Sequence, residues 1–157
     1  MKEIIQKLIK ENKTISTMES CTGGFIANEI TNITGSSLVF KFGAVTYSNE
    51  YKEKLGVSKD IIEKYSVYSK ETAKEMSKKI SDYTNSDYGI GVTGKLNKKD
   101  PNNKEGKDNE VFISIYEKKT KKYIEKNVLI TSDERKKAKQ EVYEVVLSLL
   151  KEVIKWS

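Results

Sequence analysis

The sequence predicts an α/β protein in which a mixed β-sheet carries helices on both of its faces. Two observations support this class. Segments with helical periodicity alternate with short β-branched runs as far as residue 93, and two adjacent strand-like segments follow at 111–116 and 123–130. The chain has 157 residues and contains neither an internal repeat nor a linker-like stretch. We therefore expect a single domain over residues 1–157.

The amino-terminal part is predicted to form a helix, a strand and a second helix. Residues 2–12 place apolar side chains on one face opposite charged ones, as in an amphipathic helix. Residues 14–17 are rich in β-branched side chains, which favours a short strand. The run TMESCTGG at 17–24 then forms a turn into a helix that extends to about residue 32.

The second strand and two short helices are predicted next. Residues 34–37 form a turn that leads into a short helical piece at 38–41. The apolar residues of 42–47 predict a buried strand. Residues 49–55 fit one or two helical turns closed by Gly56.

A longer helix, a glycine-containing strand and a polar loop are expected in the second half. Ser58 can cap a short helix, and Ser69 can cap a longer one. The glycines of the strand at 87–93 indicate close approach of another backbone. Residues 95–109 are rich in lysine and asparagine and contain the single proline, which predicts a long surface loop.

The chain is predicted to end in an amphipathic helix. Thr131 and Glu134 have the spacing of a capping box at its start. Its apolar positions are expected to be buried: Ala138, Val142, Val145, Val146, Leu149, Leu150 and Val153.

The net charge of +6 comes almost entirely from lysine, and Arg135 is the single arginine. The lysines are spread along every segment and alternate with glutamates, as on solvated helix faces. Clustered arginine, lysine and aromatic residues, which are typical of nucleic-acid surfaces, are not evident. We expect no nucleic-acid partner and no membrane partner. The sequence also lacks a long apolar run and a signal-peptide pattern, so we expect a cytoplasmic protein.

The absence of histidine restricts the chemistry of the chain more than its charge does. Ser-His-Asp and Cys-His catalysis are excluded. A single cysteine excludes an internal disulfide and, without histidine, argues against a zinc site. We expect no metal and no cofactor. A nucleophilic enzyme with this composition needs lysine, a carboxylate or tyrosine as its base.

Polar residues follow three predicted strands, at 18–24, 46–50 and 93–94. Ligand sites of open α/β sheets lie beyond the carboxyl ends of the strands, so we expect these stretches to converge. Ser20 has the best position for a nucleophile, and Lys52 is a candidate base.

Other roles for these residues are open from the pattern alone. Tyr47 can orient the Lys52 amine, or it can be an ordinary core aromatic residue. Cys21 is an alternative nucleophile, since a helix N-terminus lowers the pKa of a thiol. Ser20 or Thr22 can equally be a simple helix cap. Hydroxyl and backbone donors at Gly35-Ser36-Ser37 and Thr93-Gly94 can bind a phosphate.

Four motifs occur in an order and spacing that resemble one protein family. They are ESCTGG at 19–24, TGSS at 34–37, VTYSNEYK at 45–52 and VTG at 92–94. Together they are similar to the C-terminal domain of the competence/damage-inducible protein CinA. The resemblance implies a three-layer α/β/α sandwich and the activity of a nicotinamide-nucleotide amidase. Such an enzyme hydrolyses nicotinamide mononucleotide to nicotinate mononucleotide and ammonia.

The resemblance also implies roles for individual residues and a small-molecule nucleotide as the partner. Ser20 is the expected nucleophile, Lys52 its base and Tyr47 a neighbour of both. The expected substrate-binding residues are Glu19, Cys21, Thr22, Gly23, Gly24, Ser36, Ser37, Asn49, Thr93 and Gly94. The resemblance favours a homo-oligomer, for which the late hairpin or the last helix would supply the surface.

The chain departs from the family pattern mainly after Gly94. A short Ile-Ala-Gly-Pro stretch is usual there, whereas this chain has a charged sequence through residue 110. The Gly-Asp-Arg that usually opens the last helix is replaced at 132–134, and Arg135 lies one place later. These differences favour an alternative, a catalytically impaired relative that binds a nucleotide or a protein partner.

Overall fold

A computed structural model describes residues 1–96 and 105–154. The strands of its sheet are β1 (Ile15–Glu19), β2 (Phe40–Val45), β3 (Tyr88–Gly94), β4 (Glu110–Glu117) and β5 (Lys122–Leu129). The helices are α1 (Lys2–Glu11), α2 (Phe25–Thr31), α3 (Asn49–Lys54), α4 (Lys59–Tyr65), α5 (Lys70–Thr84) and α6 (Arg135–Val153), with a 3-10 turn at Ser36–Leu38.

The strands form one mixed sheet in the order β2-β1-β3-β4-β5. β1 is parallel to both β2 and β3, whereas β3, β4 and β5 are antiparallel neighbours. The parallel pairs follow from the helical crossovers, and the tight turn between β4 and β5 forms the expected hairpin. The predicted α/β class with a mixed sheet is confirmed.

Helices cover both faces of the sheet and complete the three layers. Apolar residues of α1, α2 and α6 pack in one large core against β1, β3 and β4. On the opposite face, Met18 of β1 packs with Met76 and Ile80 of α5. This division follows from the alternation of side chains along β1, since Ile15 and Met18 face opposite sides. No helix within 1–96 and 105–154 combines the length and apolar character needed to span a bilayer.

Helix α5 lies unusually close to β3 because two strand positions are glycine. A Cβ at Gly89 would lie 2.0 Å from the Ser77 carbonyl oxygen, and one at Gly91 would lie 2.3 Å from that of Ala73. Beside this contact, the hydroxyls of Ser77 in α5 and Ser114 in β4 share a buried hydrogen bond of 3.0 Å. The close approach predicted from the strand glycines is confirmed.

The structure differs from the predicted elements near the first and second strands. β1 continues to Glu19 because this residue pairs with Val45 on one side and Val92 on the other. The helical piece expected at 38–41 is instead the 3-10 turn Ser36–Leu38, and β2 already begins at Phe40. Pairing with β1 therefore gives Phe40 an extended backbone conformation, although the local sequence favours a helix.

The predicted capping box of the last helix is wrong. Glu134 is the N-cap of α6 and makes no capping side-chain bond. Thr131 instead faces Glu141, whose carboxylate accepts the Thr131 N–H at 2.9 Å and also its hydroxyl. Of the predicted loop at 95–109, residues 97–104 lie outside the described residues.

Candidate active site

The carboxyl ends of β1, β2 and β3 meet at one edge of the sheet. Glu19 pairs with Val45 and with Val92, so the residues that follow each strand come together. The Ser20 N–H donates to the Val92 carbonyl at 3.0 Å, and the Thr46 N–H donates to that of Glu19 at 2.8 Å. The three polar stretches expected to converge therefore do so.

A lysine and a serine face each other at this edge. The Lys52 Nζ lies 3.2 Å from Ser20 Oγ and donates a second hydrogen bond of 2.7 Å to the Thr46 carbonyl. Lys52 is 1% exposed and Ser20 is 7% exposed. Withdrawal from water disfavours the charged form of an amine, which is the condition for a lysine to act as a base. The pair has the geometry for proton transfer from the hydroxyl to a neutral amine.

Helix α3 brings Lys52 to the site. Ser48 caps the helix by accepting the Tyr51 N–H at 3.3 Å, which starts α3 directly after β2. Lys52 lies one turn into the helix, and its side chain returns to the carbonyl of Thr46 at the strand end. Asn49, an expected substrate ligand, begins the same helix and is half-buried.

The turn after Ser20 depends on two glycines in the left-handed region. Gly23 has φ 62° and Gly24 has φ 96°. The turn is closed by hydrogen bonds from Gly23 N–H to the Ser20 carbonyl at 3.0 Å and from Phe25 N–H to the Thr22 carbonyl at 3.1 Å. Within the described residues, the N–H groups of Cys21, Thr22 and Gly24 have no main-chain acceptor.

The carboxylate of Glu19, the last residue of β1, lies at the beginning of helix α2. It accepts the Thr22 hydroxyl at 2.6 Å, the Ile26 N–H at 2.9 Å and the Ala27 N–H at 3.0 Å. Glu19 and Thr22 are both fully buried. The N–H groups of Ile26 and Ala27, in the first turn of α2, therefore already bind a carboxylate of the chain.

Cys21 is buried beside the serine but is a poor nucleophile. Burial, and after it the Glu19 carboxylate, raise the pKa of its thiol to about 12, although the positive charges of Lys52 and Arg135 act in the opposite direction. The thiol stays protonated at neutral pH, and only the thiolate is strongly nucleophilic. The site therefore favours Ser20 over Cys21.

We expect alkylation of Cys21 to be much slower in the folded protein than in the unfolded chain. A thiol pKa raised from 9.0 to about 12 reduces the thiolate fraction at pH 8 about a thousandfold. Iodoacetamide uptake with and without urea, followed by mass spectrometry, measures the ratio. The same shift makes the folded state lose stability as the pH rises above 9. Equal alkylation rates in the two states would contradict a buried, protonated thiol.

Arg135 connects two sides of the site and was not selected from the sequence. One guanidinium nitrogen donates to the Tyr47 hydroxyl at 3.2 Å, and the other donates to the Leu96 carbonyl at 2.9 Å. Tyr47, expected beside Ser20, is 64% exposed and is held by this contact. The signal available in the sequence was a single arginine at the start of the last helix.

A second cation of α6 lies near the glycine turn. The Lys139 Nζ is 3.3 Å from the position that a Cβ on Gly23 would occupy. Because Lys139 is one helical turn beyond Arg135, both side chains project from the same face of α6. Lys139 therefore lies beside the turn that carries Ser20, and Arg135 projects from the same face of α6.

Of four other predicted ligands, Thr93 and Gly94 lie in close contact with other parts of the described chain, and Ser36 and Ser37 lie elsewhere. The Thr93 hydroxyl donates to the Val67 carbonyl at 2.9 Å, and a Cβ at Gly94 would lie 2.7 Å from the Glu110 carbonyl oxygen. Ser36 and Ser37 are not brought to this edge. They precede β2, at the end of the sheet where Ile15 N–H binds the Val39 carbonyl.

Within 1–96 and 105–154, no group of three or more histidine, cysteine, aspartate or glutamate side chains is placed to hold a metal ion. The chemistry available at the described site is that of a serine hydroxyl, a buried amine and backbone N–H donors.

Curated relatives match somewhat more than half of the chain. A protein of Thermoanaerobacter pseudethanolicus named as competence-damage inducible is 49% identical over 96 residues, which are 60% of this chain and 23% of the relative. A "CinA-like protein" of Endomicrobium trichonymphae is 51% identical over 88 residues, 55% of this chain and 21% of the relative. The matched segments thus span less than a quarter of these relatives' length.

Solved structures show the same fold over almost the entire chain. A CinA superfamily protein of Klebsiella pneumoniae superposes with a TM-score of 0.85 at 21% identity, covering 98% of this chain and 94% of its own. A competence/damage inducible protein of Agrobacterium tumefaciens gives 0.83 at 26% identity, covering 95% and 92%. The family model described as the CinA C-terminal domain matches residues 1–154. The chain belongs to the CinA C-terminal domain family.

Proposed function

We propose that the chain is an amidase that hydrolyses the carboxamide of nicotinamide mononucleotide to nicotinate mononucleotide and ammonia. The observation that carries the proposal is the 3.2 Å contact between Lys52 Nζ and Ser20 Oγ in a chain without histidine. The resemblance to nicotinamide-nucleotide amidases supports the choice of substrate. The two cations of α6 support it further, since the substrate carries a phosphate.

Acylation begins with attack of Ser20 Oγ on the carboxamide carbon while Lys52 takes the hydroxyl proton. The new C–O bond converts the carbonyl into a tetrahedral oxyanion. The C–N bond then breaks as Lys52 returns the proton to the nitrogen, which leaves as ammonia. The products of this half-reaction are an ester on Ser20 and a neutral Lys52 amine.

Deacylation uses the same two groups with water as the nucleophile. Lys52 takes a proton from water as its oxygen attacks the ester carbon. The bond to Ser20 Oγ then breaks, and the proton passes from Lys52 to the serine. This restores the hydroxyl and the amine and releases the nicotinate product.

The oxyanion needs donors other than the first N–H groups of α2. Glu19 already accepts hydrogen bonds from Ile26 and Ala27. The N–H groups of Cys21 and Thr22, which have no main-chain acceptor in the described residues, lie in the turn directly after the nucleophile. We assign the oxyanion to this turn, because fixed donors next to the nucleophile stabilise a tetrahedral intermediate.

Arg135 and Lys139 are proposed to bind the substrate's phosphate. Arg135→Gln is then expected to raise KM for nicotinamide mononucleotide by about tenfold to a hundredfold, as for loss of a charge-assisted hydrogen bond. Nicotinamide riboside, which lacks the phosphate, should be affected much less. Steady-state kinetics with both substrates measure the difference.

Lys136→Gln is the matched control, because this neighbouring exposed side chain carries the same charge. An equal loss with the riboside and the mononucleotide would argue against a phosphate contact. An increase in KM of the same size in Lys136→Gln would also argue against a specific phosphate contact by Arg135.

The proposal is tested by incubating the purified protein with nicotinamide mononucleotide and measuring ammonia and nicotinate mononucleotide. One-to-one formation of the two products is expected. A folded protein that releases neither product would contradict the proposal.

A second candidate function is a non-catalytic relative that binds a nucleotide or a protein. The observation that favours it is Lys95, a charged residue that is 7% exposed directly after β3. Its amine donates to the Glu105 carbonyl at 3.2 Å and lies 4.0 Å from the Asp108 carboxylate, so Glu105 and Asp108 lie close to the end of the strand. Such a protein would be thermally stabilised by nucleotides without turning them over.

A further inference from the structure

The Glu19 carboxylate and the Thr22 hydroxyl form a closed pair beneath the candidate nucleophile. Thr22 Oγ1 donates to Glu19 Oε1 at 2.6 Å, the same oxygen accepts Ile26 N–H at 2.9 Å, and Oε2 accepts Ala27 N–H at 3.0 Å. Both residues are 0% exposed. Neither side chain presents a surface to a ligand at the sheet edge.

A buried carboxylate is costly unless its hydrogen bonds are complete, so this arrangement requires an explanation. A helix as short as α2, which has seven residues, does not by itself require a buried glutamate as its cap. What distinguishes the pair is its position in the chain. Glu19 and Thr22 flank the dipeptide Ser20-Cys21, and their side-chain bond joins the two ends of that segment.

This bond acts together with the backbone of the turn. Ser20 is fixed by its N–H bond to the Val92 carbonyl and by its own carbonyl, which accepts the Gly23 N–H. Thr22 is fixed by its hydroxyl on Glu19 and by its carbonyl, which accepts the Phe25 N–H. Together these bonds set the direction of Ser20 Oγ and of the N–H groups of Cys21 and Thr22.

We propose that Glu19 and Thr22 are positioning residues of the Ser20 nucleophile and do not contact the substrate. The inference rests on the proposed amidase activity. The Glu19 carboxylate holds the start of α2 through the N–H groups of Ile26 and Ala27. The hydrogen bond from the Thr22 hydroxyl to the same carboxylate fixes the turn relative to that helix. Small displacements of a nucleophile from its attack geometry lower the rate of reaction far more than they lower binding.

The test compares Thr22→Val with Thr22→Ser. Valine keeps the shape of threonine but cannot donate to Glu19, whereas serine keeps the donor. We expect Thr22→Val to lower kcat about tenfold to a hundredfold with little change in KM, and Thr22→Ser to recover most of the loss. Thr84→Val is the matched control, because it removes a single hydroxyl bond, to the Ile80 carbonyl, at the far end of α5.

A second readout does not depend on the natural substrate. A small alkyl fluorophosphonate reports the reactivity of Ser20 directly, and the modified residue is identified by mass spectrometry. We expect Thr22→Val and Glu19→Gln to be labelled at Ser20 at least about tenfold more slowly than the wild type. The far-ultraviolet circular dichroism of each variant establishes that it is folded.

The outcomes separate this inference from the proposed function. Labelling of the wild type at Ser20 without ammonia release would contradict the amidase, and the labelling ratios would still decide the inference. A folded Thr22→Val that labels and turns over at the wild-type rate would overturn the inference alone. A raised KM with unchanged kcat would also overturn it, because it would make Thr22 a substrate contact. A wild type that neither labels nor turns over would overturn both.

Discussion

Ser20→Ala is expected to lower ammonia release from nicotinamide mononucleotide by at least about a thousandfold, as for loss of a catalytic nucleophile. The Ser20 side chain contributes little to the stability of the fold, because the hydrogen bond described for it is the one with Lys52. The melting temperature should therefore change little. Initial rates and thermal unfolding of the same preparation measure both effects.

Ser58→Ala is a suitable control for this substitution. Ser58 is the N-cap of α4 and makes no capping side-chain bond, so its hydroxyl should be dispensable. Activity of Ser20→Ala within tenfold of the wild type would rule out Ser20 as the nucleophile. A large loss in both variants would point to a general effect on the fold.

Lys52→Arg is expected to lower kcat by about a thousandfold or more. Arginine stays protonated at any pH at which the protein is folded, so it cannot accept the serine proton. Its bulkier guanidinium must also fit a position that is 1% exposed in the native chain. Lys52→Met removes the amine and introduces no bulky group, so it separates the loss of the base from the steric effect; it should be equally inactive while remaining folded.

Lys54→Arg is the matched control on the same helix. Lys54 is exposed and pairs with Glu50 at 2.8 Å, one turn away on the surface of α3. Its replacement should leave turnover unchanged. If Lys52→Arg kept most of the wild-type rate, a lysine base would be excluded and another proton acceptor would be needed.

The sequence was sufficient for the fold class and for the pairing of serine with lysine. The hairpin of β4 and β5 and the long helices follow from periodicity, which reflects burial and therefore survives folding. The approach of Lys52 to Ser20 follows from strand order, because parallel strands bring their carboxyl ends to one edge.

Contacts between residues that are distant in the sequence could not be predicted from local patterns. Thr131 has the spacing for a cap, yet it bonds Glu141 ten residues later, a partner that no local pattern specifies. Arg135 could be noticed as the single arginine, but its contact with Tyr47 depends on how α6 packs on the sheet. The TGSS motif resembled a binding loop, although α2 carries Ser36 to the opposite end of the sheet.

Glu19 shows a different limit of sequence reasoning. As part of ESCTGG it was expected to touch the substrate, whereas the structure places its carboxylate on Thr22 and on the start of α2. A buried acidic residue in a strand is recognisable only when its partners are known, because local composition gives no sign of which N–H groups will need an acceptor.

The central claim is that Ser20 becomes acylated with Lys52 as its base. The most direct test is to mix the protein with excess nicotinamide mononucleotide, quench in acid during the first turnovers and determine the mass of the peptide that contains Ser20. The account predicts an ester of the nicotinate nucleotide on Ser20 in the wild type and none in Lys52→Arg. An adduct on Cys21, or full turnover with the Ser20 peptide unmodified at every quench time, would contradict it.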